Sequence, residues 1–441
     1  MRTEILLLPL ALACTGPSWG QEPGGTTPAP GRFPLKNGLT AIVRPIRGAN
    51  EVALLVLYKL GGDHDPQGRS GLAHLVEHVY VTAAAGSAPA RSADAFLQSY
   101  PSGCNAQTGE RHTVIATVFP KADLEKELTE AAARMGDLRI MAADLDREKP
   151  RLLAELANMF GRIPALGALN HARELIRPAP RGGRKGGLPE HVQAMTLDDV
   201  KTHWARYYKP RNAILVLAGA VDEPSARRAV AAQFAQLDPG VEPPPPGEPG
   251  APRAGAVREL TVKPLQGQAE PRACLAYAVP EPGCDLYAPF LLLVARLWTT
   301  MTQPGGDGGP GRTTIDFPLL EDPAVLGVSG AAKAGETAAQ ALARLEAFVA
   351  QTTAPRLRDE ERAAARQVFG FFLGTADLPD FALAHNPYGV ALGLARREQL
   401  GFDPARLNRA LDTLTETEFR RAASEIFAPS RHAGAFLRPG R

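Results

Sequence analysis

Residues 71–79 read Gly71-Leu72-Ala73-His74-Leu75-Val76-Glu77-His78-Val79. On a helix, positions four apart share a face, so His74 and His78 reach toward one point, and Glu77, three after His74, leans to the same side. Two imidazoles suit a zinc ion, and a carboxylate beside them can take a proton from water held there. A histidine pair at this spacing is more often an ordinary feature of a helix surface. Here a glutamate stands at the position the chemistry needs, in a chain with only 9 histidines, and the metal reading is favoured. The order His-x-x-Glu-His inverts the His-Glu-x-x-His zinc helix.

A catalytic zinc generally takes three protein ligands and keeps a fourth position open. Further along the chain, the spacing predicts a helix over 144–160 that carries Glu148 and Glu155. These lie two turns apart, on nearly one face. Glutamates are common on solvated helix surfaces, so the residues alone leave the third ligand open.

The 441-residue chain is 44% apolar, enough to bury sizeable cores, and its 49 basic and 47 acidic residues leave a formal charge of +2. That balance gives no reason to expect nucleic acid or an anionic membrane as partner. Residues 1–20 read as an export signal: Arg2 precedes an apolar run over 5–13, too short to span a bilayer. Small residues at Ser18 and Gly20 suit a cut before Gln21, and 21–31 is then a flexible polar tail. A lipid anchor on Cys14 is the second choice for this segment. Either reading places the protein outside the cytoplasm, secreted or periplasmic, with no transmembrane segment. Cys104, Cys274 and Cys284 remain after such a cut. A Cys274–Cys284 disulfide is conceivable, and no cysteine pair has zinc-finger spacing.

The run GVEPPPPGEPGAPRAG over 240–255 cannot pack as a helix or central strand and reads as a stiff, extended linker. It separates an N-terminal metal-binding domain at 32–239 from a C-terminal domain at 257–441, with 240–256 between them. The halves echo each other. Each opens with two apolar strands that read as a pair joined by a turn (39–46 and 52–59; 260–265 and 273–279). A helix follows in each (71–81; 287–299), then a strand (113–119; 324–329). Two helices come next (122–140 and 144–160; 336–351 and 358–373). Each half closes on a helix and a strand (197–207 and 213–219; 416–426 and 433–437). The expected fold class is α+β: two α/β sandwich domains in tandem, with mostly antiparallel sheets covered by helices.

With these features in place, the chain resembles the pitrilysin/insulysin metallopeptidases, which include the mitochondrial processing peptidases. That family carries His-x-x-Glu-His and, about 77 positions after the second histidine, a zinc-binding glutamate; at that separation from His78 stands Glu155. It also carries a supporting glutamate seven residues earlier, here Glu148. Asn37-Gly38-Leu39-Thr40 is similar to the family's opening strand, and Gly61-Gly62 precedes the metal helix as expected. Gly103-Cys104-Asn105-Ala106-Gln107-Thr108 is similar to its Gly-x-Asn-Ala-x-Thr segment, and Tyr208-Lys209-Pro210-Arg211-Asn212-Ala213 introduces its last strand. In the second half only the architecture is recognisable.

The resemblance implies a zinc endopeptidase with one Zn2+ on His74, His78 and Glu155, Glu77 as general base, and Glu148 orienting a histidine. It implies that Asn105 and Ala106 contact the backbone of a peptide added as a strand, with 113–119 as a further possible edge. Gly and Asn at 103–108 equally explain a plain turn. One departure stands out. Active relatives carry an Arg and a downstream Tyr in the second half; here Arg312 is present, but position 319 is Leu. A half-length relative commonly pairs with a second chain, so a homo- or heterodimer is expected, the partner supplying the Arg/Tyr pair. The competing expectation is a non-catalytic or partner-dependent scaffold subunit.

Overall fold

The computed structural model describes residues 30–265, 270–302, 313–317, 319–374 and 383–440. The expected signal and most of the tail, Cys14 and Arg312 lie outside the described residues.

The first half runs β1 (Gly31–Pro34), β2 (Thr40–Pro45), β3 (Glu51–Tyr58), α1 (Leu72–Thr82), β4 (Ala84–Ala85), α2 (Ala93–Ser99), β5 (Cys104–Thr108) and β6 (Thr113–Pro120). It continues with α3 (Leu124–Gly136), β7 (Leu138–Arg139), α4 (Ala142–Ala157), α5 (Pro164–Ile176), α6 (Pro189–Ala194), α7 (Leu197–Tyr207), β8 (Ala213–Gly219) and α8 (Glu223–Phe234). The second half runs β9 (Val257–Val262), β10 (Arg272–Ala278), α9 (Tyr287–Thr302), β11 (Thr314–Asp316), β12 (Val325–Ala331), α10 (Ala338–Thr353) and α11 (Asp359–Leu373). It ends with α12 (Pro387–Leu400), α13 (Pro404–Thr413), α14 (Glu416–Phe427) and β13 (His432–Pro439).

Two large sheets result, ordered β1-β2-β8-β3-β6-β5 and β11-β12-β10-β13-β9, beside a small pair of β4 and β7. Set end to end, β2-β8-β3-β6-β5 and β9-β13-β10-β12-β11 are the same permutation. In each, only the pair formed with the half's last strand is parallel (β2 with β8, β9 with β13). The tandem echo is thus a repeat of topology, and the fold is α+β with mostly antiparallel sheets under helices, as expected. The opening hairpins are not formed. In each half the last strand slots between the first two, β8 between β2 and β3 and β13 between β9 and β10. The β8 sequence Ala213-Ile214-Leu215-Val216-Leu217-Ala218-Gly219 is buried at every position, the pattern of an interior strand covered on both faces.

Each sheet packs one face on helices of its own half. Leu75, Val79, Leu152, Leu156 and Val200 join Val52, Leu54 and Val56 in the first core. Leu292, Leu345, Phe369 and Phe419 join Leu275 and Val328 in the second. The opposite faces are covered reciprocally. Val390, Ala391 and Leu394 of α12 pack on Leu55, Leu57 and Val114 of the first sheet. Ala168, Leu169 and Ala172 of α5 pack on Ala276, Ala433 and Leu437 of the second. Each half therefore borrows a helix from the other. The segment 240–255 has no helix or strand and is docked on the first half: Gly247 N donates to Asp63 O at 2.7 Å and Arg253 N to Leu175 O at 2.7 Å. Cys274 is buried in β10, Cys284 is exposed, and both are free thiols with Cys104. The helix expected over 122–140 ends at Gly136, because residues 138–139 pair with β4 instead.

Burial also leaves a titration signature. His203 on α7 is 4% exposed, and its Nε2 has no hydrogen-bond partner. Burial, then the neighbouring His64, pushes its pKa from 6.5 down to about 3. Between those values the unfolded chain holds the extra proton, so stability falls as pH falls through that window. A His203→Phe variant should lose less stability than the parent between pH 7 and pH 4.5, measured by urea unfolding at each pH; parallel losses would contradict the burial argument.

Candidate metal centre

All 11 residues of α1 are buried, so its unpaired end groups cannot turn to water and must find protein partners. At the N-terminus Asp65 reaches back over six residues: its Oδ2 accepts from Gly71 N at 2.7 Å and its Oδ1 from Ala73 N at 2.9 Å. At the C-terminus the buried Arg134 guanidinium donates to Tyr80 O at 2.5 Å and Ala83 O at 3.2 Å. Glu130 holds Arg134 at 2.9 Å. A negative group at the start and a positive one at the end also match the helix dipole.

The helix presents His74 and His78 to Glu155 on α4. His74 Nε2 lies 3.6 Å from Glu155 Oε1 and His78 Nε2 3.6 Å from Glu155 Oε2. One ligand atom from each of the three falls within 4.8 Å of the others. His74 Nδ1 sits 3.1 Å from the carbonyl of Gly186. A carbonyl only accepts, so Nδ1 carries the hydrogen and Nε2 turns a lone pair toward the cluster. His78 Nδ1 faces Glu148 Oε2 at 3.5 Å, and Arg147 Nε donates to Glu148 Oε1 at 2.9 Å. Glu77 Oε2 is 3.9 Å from His74 Nε2 and accepts from Thr108 Oγ1 at 3.1 Å. The helix pair thus brings together His74, His78 and Glu155, with Glu77 and Glu148 beside them.

Charge and burial oppose each other here. Burial lowers His74 to about 4, helped by the neighbouring His78. Burial also acts to lower His78, but Glu148 and Glu155 outweigh it and raise its pKa to about 10. Glu155 is held down to about 2 against burial by His78 and His74. Burial pushes Glu77 up to about 7. His78 Nε2 is buried without a hydrogen-bond partner. Two imidazole nitrogens and a carboxylate around one point, one nitrogen otherwise orphaned, are a donor set that fits a divalent cation such as zinc.

Sequence reasoning missed the element that orients His74. Residues 180–187, Pro-Arg-Gly-Gly-Arg-Lys-Gly-Gly, lie against the start of α1. A Cβ on Gly187 would stand 2.8 Å from Gly71 Cα, and one on Gly71 2.9 Å from Gly186 O. Only glycines let the two backbones approach closely enough for the Gly186 carbonyl to reach the imidazole. Four glycines within eight residues were the available signal.

The strand β5 forms the sheet edge nearest Glu77, whereas β6 is flanked by β3 and β5 and offers no edge. The bonds Val118 N to Gly103 O and Gly109 N to His112 O bracket the β5–β6 ladder. Alternation then turns the backbone groups of Asn105 and Gln107 inward, and those of Cys104, Ala106 and Thr108 outward. The Ala106 backbone therefore lies on the free edge, and the Asn105 side chain donates to Tyr388 Oη at 3.0 Å. Leu319 is half-buried against the second core. A cleft of about 950 Å³, including space open to solvent, adjoins the centre and is lined by His74, Thr108, Glu110, Arg173, Lys185 and Glu321 among others.

Residues 194–304 match the family model described as the peptidase M16 inactive domain, a stretch that excludes His74, Glu77, His78 and Glu155. The chain is similar to the zinc protease PqqE of Helicobacter pylori, 28% identical over 191 residues, which are 43% of each chain. It is also similar to an uncharacterized zinc protease of Rickettsia bellii, 23% identical over 206 residues, 47% of this chain and 50% of that one. These alignments span half or less of the relatives' own lengths. Among solved structures, a protease from Helicobacter pylori superposes with a TM-score of 0.78 at 20% identity, covering 94% of this chain and all of that one. The periplasmic protease PqqL from Escherichia coli superposes with a TM-score of 0.69 at 15% identity, over 93% of this chain and 48% of that one. At these identities the superpositions speak for the fold.

The buried capping of α1 is open to direct measurement. Asp65→Ala strands amide groups that no water can reach and should cost about 1–2 kcal/mol, seen as a lower urea midpoint. Asp65→Asn, which keeps one acceptor, should fall between the two. An Ala variant as stable as the parent would contradict the cap.

Proposed function

We infer, from the chain's membership of the pitrilysin-type M16 peptidase family and from its centre, that it is a zinc endopeptidase acting on peptides or unfolded protein segments. The observation that carries this reading is the convergence of His74 Nε2, His78 Nε2 and Glu155 beside the Glu77 carboxylate. His74, His78 and Glu155 would hold the ion. Bound there, zinc would supply Lewis acidity to an attacking water and to the scissile carbonyl. The other tasks fall to the protein. Gly186 and Glu148 hold the two imidazoles in the tautomer that leaves each Nε2 free to ligate. Glu77, fixed by Thr108, takes the proton from the attacking water and later returns it to the leaving amine. The outward backbone groups of β5 pair with an extended substrate, and the cleft beside His74 receives its side chains.

We further assign the protein to a secreted or periplasmic location, with a lipid anchor at Cys14 as the variant. Among the described residues no helix is long and apolar enough to cross a membrane. We also propose a heterodimer whose second chain, of different sequence, supplies an Arg and a Tyr to the cleft. Leu at position 319 favours this arrangement, and equally favours a partner-dependent or non-catalytic subunit as the second reading.

Metal analysis and peptide hydrolysis separate these. The purified chain should hold about one zinc per chain. Glu77→Gln should keep the zinc and lose about two to four orders of magnitude in kcat, while His74→Ala should lose both metal and hydrolysis. A chain without zinc would sink the peptidase reading. A zinc-loaded chain inert alone but active with a sister chain would support the dimer, and one inert with every partner would select the non-catalytic reading. Glu148→Gln should weaken zinc affinity about 10–100-fold, measured by competition with a chromophoric chelator.

A further inference from the structure

Among its described residues the second half has no counterpart of the His74, His78 and Glu155 cluster, yet it grips the hairpin that stands beside that cluster. The hairpin of β5 and β6 presents Thr108 to Glu77 and the Ala106 backbone to the free edge. Three hydrogen bonds tie it to the second half from behind, with Glu321 4.0 Å from His112 beside them. Tyr388 Oη takes the Asn105 amide at 3.0 Å. At the far end of the same helix, Gln399 Nε2 donates to Arg111 O, in the hairpin turn, at 3.0 Å. Arg111 Nη1 in turn donates to Asp322 Oδ2 at 2.9 Å. Tyr388 and Gln399 belong to α12, which is set firmly: Asn386 caps its start at Gly389 N, 2.8 Å away, and Val390, Ala391 and Leu394 are buried against the first sheet. The Asn105 side chain is thereby engaged by α12.

Resting on the peptidase reading above, we propose that the second half acts as a positioning body for catalysis. Tyr388, Gln399 and Asp322 set the height and register of the β5–β6 hairpin, and with it the Thr108 contact to Glu77 and the alignment of the substrate strand. These three are positioning residues; none touches substrate. A strand edge held at both ends fixes which peptide bond lies over the centre, because a one-residue slip turns every substrate side chain to the opposite face.

The test uses the full chain with Tyr388→Phe, Gln399→Leu and the double variant, and an unstructured synthetic peptide as substrate. Amide exchange at Asn105 and Gln107 should speed up about five- to tenfold in each single variant. KM should rise several-fold and cleavage should spread to neighbouring bonds, with zinc content and global unfolding unchanged. Exchange, KM and cleavage pattern all equal to the parent would overturn the proposal. Loss of zinc or a general loss of protection would also overturn it, by assigning these residues a merely structural role. If the parent chain cleaves nothing, the peptidase reading fails on its own. The exchange rates still decide the anchor: unchanged rates refute it whether or not the chain is a peptidase.

Discussion

Burying a charged helix is the constraint on which this structure turns. Every residue of α1 lies out of solvent, yet the helix carries two imidazoles and a carboxylate. Such groups are costly inside a protein unless they are paired. The surroundings are arranged accordingly. Asp65 and Arg134 satisfy the two ends, the Gly186 carbonyl and Glu148 take the outward ring nitrogens, and Thr108 takes Glu77. Each partner comes from a different segment: the loop before α1, α3, the glycine-rich loop, α4 and the edge strand. The centre therefore exists only when the whole first half is folded around it.

The duplicated topology shows what the second half was free to change. α9 occupies the place of α1 and is likewise buried, but Phe290, Leu291, Leu292, Leu293 and Val294 fill its core-facing length. Its buried charge is the single Arg296, which Glu361 and the carbonyls of Pro355 and Arg356 satisfy, and among the described residues no metal-type cluster stands beside it. What it retains is mechanical. Through α12 it covers the first sheet, and through α5 the first half covers the second. α5 follows α4 after a short wider turn at Asn158–Arg162, so the helix carrying Glu155 is tied to the partner sheet by its immediate continuation.

Local periodicity made much of this legible. The expected bounds of α1, β6, α7 and β8 fall within a residue of those found: α1, β6 and β8 are apolar runs with clear stops, and α7 opens on the Thr196–Asp199 capping box. The His-x-x-Glu-His spacing put His74 and His78 on one helix face, and the resemblance pointed to Glu155, which the structure brings beside both. What escaped was non-local. Nothing in residues 39–59 announces that β8 will wedge between β2 and β3. Nothing in α12 announces that its apolar face belongs to the other half. Nor does the segment 103–108 say which of Asn105 and Ala106 turns its backbone to the free edge, because alternation along a strand can be oriented only once its ladder partner is known.

The electrostatics of the centre follow from that same packing. Glu148 and Glu155 flank His78 in a dry interior, and their field holds a proton on that ring up to about pH 10 despite burial. A divalent cation would answer the same field with no need of the proton. Glu77 stands outside the flanking pair, pushed up to about 7 by burial, where a carboxylate can both take and release a proton near neutrality. Moving Glu77 one position along α1 would turn it away from Thr108 and the imidazoles alike. The inverted order of the motif is thus tied to this arrangement, with the edge strand on one side of the helix and α4 on the other.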